Sequence, residues 1–180
     1  MKGSAHILFE TERLIVRHYT KEDSDNFFLL NGDEEIMRYI RPAKTREEAD
    51  QFLLEILQKL EEDPASGRWA VEAKPTGVFV GSFAFITIER VENKMQLGYA
   101  LLKQNWGKGY ATELTHGGLA YVFSQTGLDE IYAITEIANT ASQKVLQKAG
   151  FAPFDETEED GKKLSRFIYL KEKFRSIQNT

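Results

Sequence analysis

Apolar residues along this chain follow two periods, and the switch between them marks out the elements. Arg13-Leu-Ile-Val-Arg17 alternates and is rich in β-branched residues, predicting a first strand at about 12–18. Thr20 followed by Glu22 and Asp23 reads as a helix start, with Phe27, Phe28 and Leu30 as its apolar face. A short helix is expected at 33–40, ended before Pro42. Thr45-Arg-Glu-Glu48 has the capping-box pattern and precedes Phe52, Leu53, Ile56, Leu57 and Leu60, spaced three and four apart, so a third helix follows. The Asp63–Gly67 segment is a turn cluster. Strands are expected at 68–73, 78–89 and 95–102, the first two joined by a hairpin turn at Lys74-Pro-Thr-Gly77. A long helix runs from after Gly109 to about Thr126, stopped by Gly127. A strand at 130–137 comes next, then a helix at 140–149 stopped by Gly150. Strands at 151–156 and 164–170 close the chain around Asp160-Gly161, with a solvated, charged tip at 156–163.

That order predicts a mixed α/β sheet with helices on both faces. No repeat or linker divides the chain, so residues 1–180 are expected to form one domain. Residues 1–5 carry no pattern, and the first eight are expected to lie outside the ordered fold or to be an appended remnant.

The apolar share of 42% and charged share of 28% exclude a disordered, collagenous or coiled-coil chain. Net charge is −5, which argues against nucleic acid and anionic membrane as partners and suits a cationic or amine partner. The sequence has no cysteine, so disulfides, thiol nucleophiles and cysteine zinc sites are excluded. Its three histidines, His6, His18 and His116, are far apart, and no metal is expected. The longest apolar run, near 78–88, is too short to span a bilayer, and no secretory pattern opens the chain, so a cytoplasmic location is expected.

The chemistry concentrates in Gln104-Asn-Trp-Gly107-Lys-Gly109-Tyr-Ala111, between a hydrophobic strand and a long helix. Two glycines one residue apart permit a tight turn and close approach of a ligand to the backbone. The helix that follows aims its N–H groups and positive dipole end at the same place, an anion site suited to a pyrophosphate, with Lys108 adding charge. Neither the Walker loop nor the dinucleotide fingerprint fits, which disfavours a nucleotide-phosphate enzyme. Some thirty residues on, Asn139-Thr-Ala-Ser142 opens another helix directly after a strand, with Asn139 placed to cap it.

Together these segments resemble the GCN5-related N-acetyltransferase (GNAT) superfamily, and within it the branch of Rim-type N-terminal acetyltransferases of ribosomal proteins. The resemblance runs from Thr11-Glu-Arg-Leu-Ile-Val-Arg17 through Leu97-Gly-Tyr99 and Trp106-Gly-Lys-Gly-Tyr-Ala-Thr-Glu113 to Asn139-x-x-Ser142 and Lys148-Ala-Gly-Phe151. It implies a mostly antiparallel central sheet splayed at an acetyl-CoA site. The backbone of Trp106, Gly107, Lys108, Gly109, Tyr110 and Ala111 would bind the cofactor's pyrophosphate, and Gln104 would contact it from the loop's start. Leu101 and Leu102 would offer main-chain groups to the pantetheine arm, Asn139 would bond the arm, and Ser142 would lie near the thioester sulfur. The implied reaction is direct acetyl transfer to an amine, a small molecule or a protein N-terminus, by a monomer or homodimer without a metal.

Relatives often carry a tyrosine seven residues after the asparagine as the acid; here that residue is Leu146, and Ser142 is the substitute that the branch suggests. Where relatives often carry a glutamate base, this chain has Gln96. Glu136 is the next carboxylate; alternation groups it with Tyr132 and Ile134, and the face that forms the cleft stays open. Glu113 suits the dipole of the loop-following helix, Glu72 is a weaker base candidate, and Tyr99 is placed to line the acceptor cleft. Trp106, Tyr110, Trp69 and Phe27 are expected in the core. Gln96 and Leu146 also keep a second function open, an acyl-CoA-binding sensor without turnover.

Overall fold

A computed structural model describes residues 6–63, 66–88 and 94–178, with the backbone alone for 175–178. Expectations for 1–5, Pro64, Ala65 and Glu89 lie outside the described residues. The elements are β1 (Ile7–Glu10), β2 (Leu14–Arg17), α1 (Ser24–Asn31), α2 (Glu34–Met37), α3 (Arg46–Glu62), β3 (Gly67–Ala73), β4 (Val78–Thr87), β5 (Met95–Leu101), α4 (Tyr110–Gln125), β6 (Glu130–Glu136), α5 (Thr140–Ala149), β7 (Ala152–Glu159), β8 (Lys162–Leu170) and α6 (Lys171–Gln178). The strands form one eight-stranded open sheet in the order β1-β2-β3-β4-β5-β6-β8-β7. Neighbours run antiparallel except β5 and β6, which are parallel.

The caps form as their residue types dictate. Thr45 Oγ1 accepts from the Glu48 amide, and Glu48 Oε2 accepts from the Thr45 amide at 2.8 Å. Asp33 caps α2 through the amides of Glu35 and Ile36. The closing hairpin is longer than expected: it turns on Asp160 (φ 50°) and Gly161 (φ 74°), two positive-φ residues of the kind that matches strand twist. Gly127 does not stop α4. The amide and hydroxyl of Thr126 both donate to the Val122 carbonyl at 2.9 Å, and the chain turns extended there. Two elements had no signal of their own. β1, which takes up Ile7 and Leu8, exists by pairing with β2, and α6 by following β8 at the sheet's end.

Strand alternation divides the core between the two faces. Trp69, Val71, Phe83, Phe85, Leu97, Leu101, Ile131, Ala133 and Phe167 pack under Leu114, Leu119 and Val122 of α4 and Leu146 and Ala149 of α5. On the other face Ala70, Phe79 and Leu102 pack under Phe27 and Leu30 of α1, Ile36 and Met37 of α2, and Ala49, Leu53 and Ile56 of α3. Gly118 sets how closely α4 lies on the sheet: a Cβ there would stand 2.5 Å from Phe83 Cζ. Gly118→Ala should therefore lower stability by about 1–3 kcal/mol, the usual range for overpacking, read as a lower urea midpoint. An unchanged midpoint would mean that the Phe83 ring yields freely.

Beneath α1 a buried ion network ties β2 to β3. Arg17 donates to both oxygens of Asp23 at 2.8 Å and to Glu72 Oε1 at 2.5 and 2.9 Å, and the Thr20 amide donates to Asp23 at 2.8 Å. Glu72 is therefore a structural anion. Burial alone would raise the Asp23 pKa, but the bonds from Arg17 and Thr20 outweigh it and hold the carboxyl below its ordinary 3.8. A depressed carboxyl stabilises the fold fully above its unfolded value and loses that contribution as pH falls through the folded one. Asp23→Asn should thus be less stable at neutral pH and flatter below about pH 4. Urea midpoints measured from pH 7 downward test this; parallel curves for the two proteins would contradict it.

Candidate active site

The sheet opens where its parallel pair parts. Gln96 lies opposite Tyr132, the single register position that β5 and β6 share. Lys94 holds their lower ends together, donating to the Tyr132 hydroxyl at 3.0 Å and pairing with Glu130 at 3.3 Å. Beyond that point no register pair joins the two strands, so Tyr99–Leu101 and Ile134–Glu136 flank an unpaired gap in the sheet. A crevice at the carboxyl ends of parallel strands is where open α/β sheets commonly bind ligands.

At the top of β5 a 3-10 turn, Lys103–Asn105, leads into the glycine loop. Gly107 (φ 72°) and Gly109 (φ 79°) are both left-handed, a conformation that side-chain-bearing residues resist. Among the described residues, no acceptor takes up the N–H groups from Gly107 through Thr112. With the N-terminal end of α4 behind them they form an anion cradle. Arg13 supports it, donating to the Lys108 carbonyl at 3.0 Å, stacking over the Tyr110 ring at 4.6 Å and pairing with Glu113 at 2.7 Å. Glu113 also accepts from Thr11 Oγ1 at 2.6 Å and the Arg13 amide at 2.8 Å. Burial would raise its pKa, but these bonds prevail and keep it low, so Glu113 anchors the β1–β2 turn to α4.

Two residues around the loop differ from expectation, Trp106 and Leu102. The Trp106 amide already donates to the Lys103 carbonyl at 3.1 Å, which leaves the cradle to begin at Gly107. Trp106 is 46% exposed rather than in the core, and its Nε1 donates to the Leu101 carbonyl at 2.8 Å. The Leu102 amide is likewise engaged with Val80. Gln104 is exposed beside the loop, and Lys108 donates to Asn105 at 3.3 Å.

Across the cleft, Asn139 Oδ1 caps α5 by accepting from the Ser142 amide at 3.1 Å, leaving the Asn139 amide nitrogen free of an assigned partner among the described residues. Ser142 Oγ lies 3.3 Å from the Tyr99 hydroxyl. Burial raises the Tyr99 pKa and the Ser142 contact only partly offsets it, so the phenol stays protonated at neutral pH. This hydroxyl pair joins β5 to α5 over the opening. Sequence reading had Tyr99 in the cleft and Ser142 near the reaction without linking them; the Gly98-Tyr99 pair on the splayed strand was the available signal. Leu146 is a core residue. Glu136 shares the Gln96 face, since Gln96 pairs with Tyr132, and its carboxylate is held by Lys162 from the closing hairpin.

Residues 13–152 match the family described as "Acetyltransferase (GNAT) domain". The chain is 28% identical over 146 residues to the uncharacterized N-acetyltransferase YoaA of Bacillus subtilis (strain 168), covering 80% of this chain and 82% of that protein. In fold it is similar to spermidine N-acetyltransferase from Vibrio cholerae in complex with CoA and spermine (TM-score 0.77, 23% identity, 90% and 98% of the two chains). It is also similar to the ribosomal-protein-S5-alanine acetyltransferase from Vibrio fischeri (TM-score 0.74, 22% identity, 90% and 95%). The likeness to both structures is one of fold. Gly107→Val should weaken acetyl-CoA binding at least about tenfold, from left-handed strain of about 1–2 kcal/mol and from a side chain entering otherwise open space. Calorimetric titration of the folded variant tests this; wild-type affinity would remove the loop from the binding site.

Proposed function

The chain belongs to the GNAT acetyltransferase family, and from that premise we propose that it transfers acetyl from acetyl-CoA directly to a primary amine. The observation that carries the reading is the cradle of N–H groups at residues 107–112 beside a parted parallel strand pair. The pyrophosphate would rest on Gly107, Lys108, Gly109, Tyr110 and Ala111, with Gln104 at the loop's edge and Leu101 and Leu102 alongside the pantetheine arm. The free amide nitrogen of Asn139 would bond that arm. The neutral amine attacks the thioester carbonyl, the carbon–sulfur bond breaks, and CoA leaves as thiolate. Ser142 and Tyr99 together supply the thiolate's proton, the phenol taking the place that Leu146 cannot fill. Glu136 is the base: Lys162 occupies Oε1, and Oε2 is left to take the amine's proton through water. Kinship to the Rim-type branch, with a protein N-terminus as acceptor, belongs to this proposal, as do a cytoplasmic location and a metal-free reaction. Among the described residues, no helix is long and apolar enough to cross a membrane, and no acidic or histidine cluster could hold a metal.

CoA release from acetyl-CoA, followed with a thiol reagent across peptides, polyamines, amino acids and aminoglycosides, tests the reading, and a chain without cysteine adds no background. Gln96 and Leu146, which remove two groups that relatives use, favour a second reading, an acyl-CoA sensor. Tight acetyl-CoA binding without CoA release from any amine would select it. In the enzyme, Ser142→Ala and Tyr99→Phe should each lower kcat about tenfold or more, the scale for acid–base groups. An unchanged kcat with a raised KM for acetyl-CoA would leave the pair a binding role only.

A further inference from the structure

Eight basic side chains of this protein have carboxylate partners among the described residues. Arg13, Arg17, Arg46, Arg166, Lys74, Lys94, Lys103 and Lys162 all form ion pairs. Arg41 and Arg68 do not: among the described residues no carboxylate pairs with either, although both are half-buried. They stack over one ring, Phe52, at 5.2 and 5.8 Å. Beside them stands the Tyr19 hydroxyl, on a residue only 2% exposed and without a hydrogen bond of normal geometry, although Ser82 lies near enough to influence it. Two like charges and an unsatisfied hydroxyl under α3 are an expensive arrangement for a fold to keep empty-handed. Burial first, and then the repulsion of Arg68, push the Arg41 pKa down to about 10. Burial also lowers that of Arg68.

Sheet register connects this pair to the cleft. Arg68 lies opposite Ala84, and Ala84 opposite Gly98 of β5, so the three form a row on the face covered by α1, α2 and α3. The adjoining row is Ala70, Ser82 and Ala100. This floor is built of small residues, and a Cβ at Gly98 would meet nothing within 4 Å. Two strand spacings, about 10 Å, separate Arg68 from Gly98, where β5 is already leaving β6. The pyrophosphate cradle lies past Leu102, about 13 Å further along the strand at 3.3 Å per residue, and has its own N–H groups. The arginines therefore face the acceptor's end of the cleft. Lys44, also over Phe52 at 5.0 Å, lies with that ring in a shallow dent lined by Glu47, Glu48, Gln51 and Glu55.

We infer that the acceptor amine also carries a carboxylate, which Arg41 and Arg68 grip beside the Tyr19 hydroxyl while the amine reaches the β5–β6 opening. This rests on the acetyltransferase reading and narrows it: the chain's net charge of −5 suits a cationic partner, but the charge at this site is reversed. The guanidinium fork matches a carboxylate, and charge-assisted bonds of this kind are the strong ones.

CoA release should be compared for matched pairs: α-amino acids, ω-amino acids and short peptides, each beside its C-terminal amide, with spermidine as the cationic control. At least one acid should exceed its amide in kcat/KM by about tenfold or more, the scale of a charged hydrogen bond, with the difference mostly in KM. Arg41→Gln and Arg68→Gln should each cut that ratio several-fold, mostly by raising the acid's KM. Amides or spermidine matching every acid would overturn the inference and leave the acetyltransferase standing. So would variants that slow an acid and its amide alike. Absence of CoA release with every amine would overturn both.

Discussion

Everything at this site depends on one parallel strand pair in a sheet that is otherwise antiparallel. A parallel neighbour requires a crossover, and here the crossover is the glycine loop and α4, running from the top of β5 back to the bottom of β6. The pair meets only at Gln96 and Tyr132. Above that point neither strand completes the other's ladder, and backbone polar groups need partners. A ligand with an amide-bearing arm would satisfy them, which is why the proposed cofactor path follows the incomplete part of the sheet.

Keeping that opening apart requires rigidity on both sides of it. Lys94, Tyr132 and Glu130 close its base. The Thr11–Arg13–Glu113 clamp fixes the start of α4 to the β1–β2 turn and with it the loop's left-handed glycines. The Tyr99–Ser142 contact bridges the gap from β5 to α5. The Arg17–Asp23–Glu72 network is of the same kind: charges spent on holding strands in place, fully paired and mostly buried. Arg41 and Arg68 contrast with that network: both are half-buried, share the Phe52 ring and have no carboxylate partner among the described residues.

Much of the fold was legible because its signals are local. The capping box at Thr45–Glu48, the α5 span and the hairpin residues Asp160-Gly161 each depend on backbone geometry within a few residues. The anion loop was legible for the same reason, since only glycines relax at φ 72° and 79°. β1 and α6 were not, because a four-residue strand and a polar terminal helix exist through neighbours distant in sequence. Trp106 lies outside the core although large aromatics default to it, its indole N–H bonded to the Leu101 carbonyl at the end of β5.

The sequence by itself determined the order of the elements from β2 to β8, the paired glycines before α4 and the lack of any thiol, since these follow from residue identity and short-range spacing, whereas His6 and His18, distant in sequence, meet at 4.8 Å between ring centres. Tertiary structure alone decided that Tyr99 meets Ser142, that Glu136 shares the Gln96 face and is held by Lys162, and that Arg41 and Arg68 stay unpaired beside Tyr19. Those facts depend on strand register and on which charges the fold brings together. Register shifted by one residue would send each strand side chain to the other face, and a single sequence does not show which register was taken.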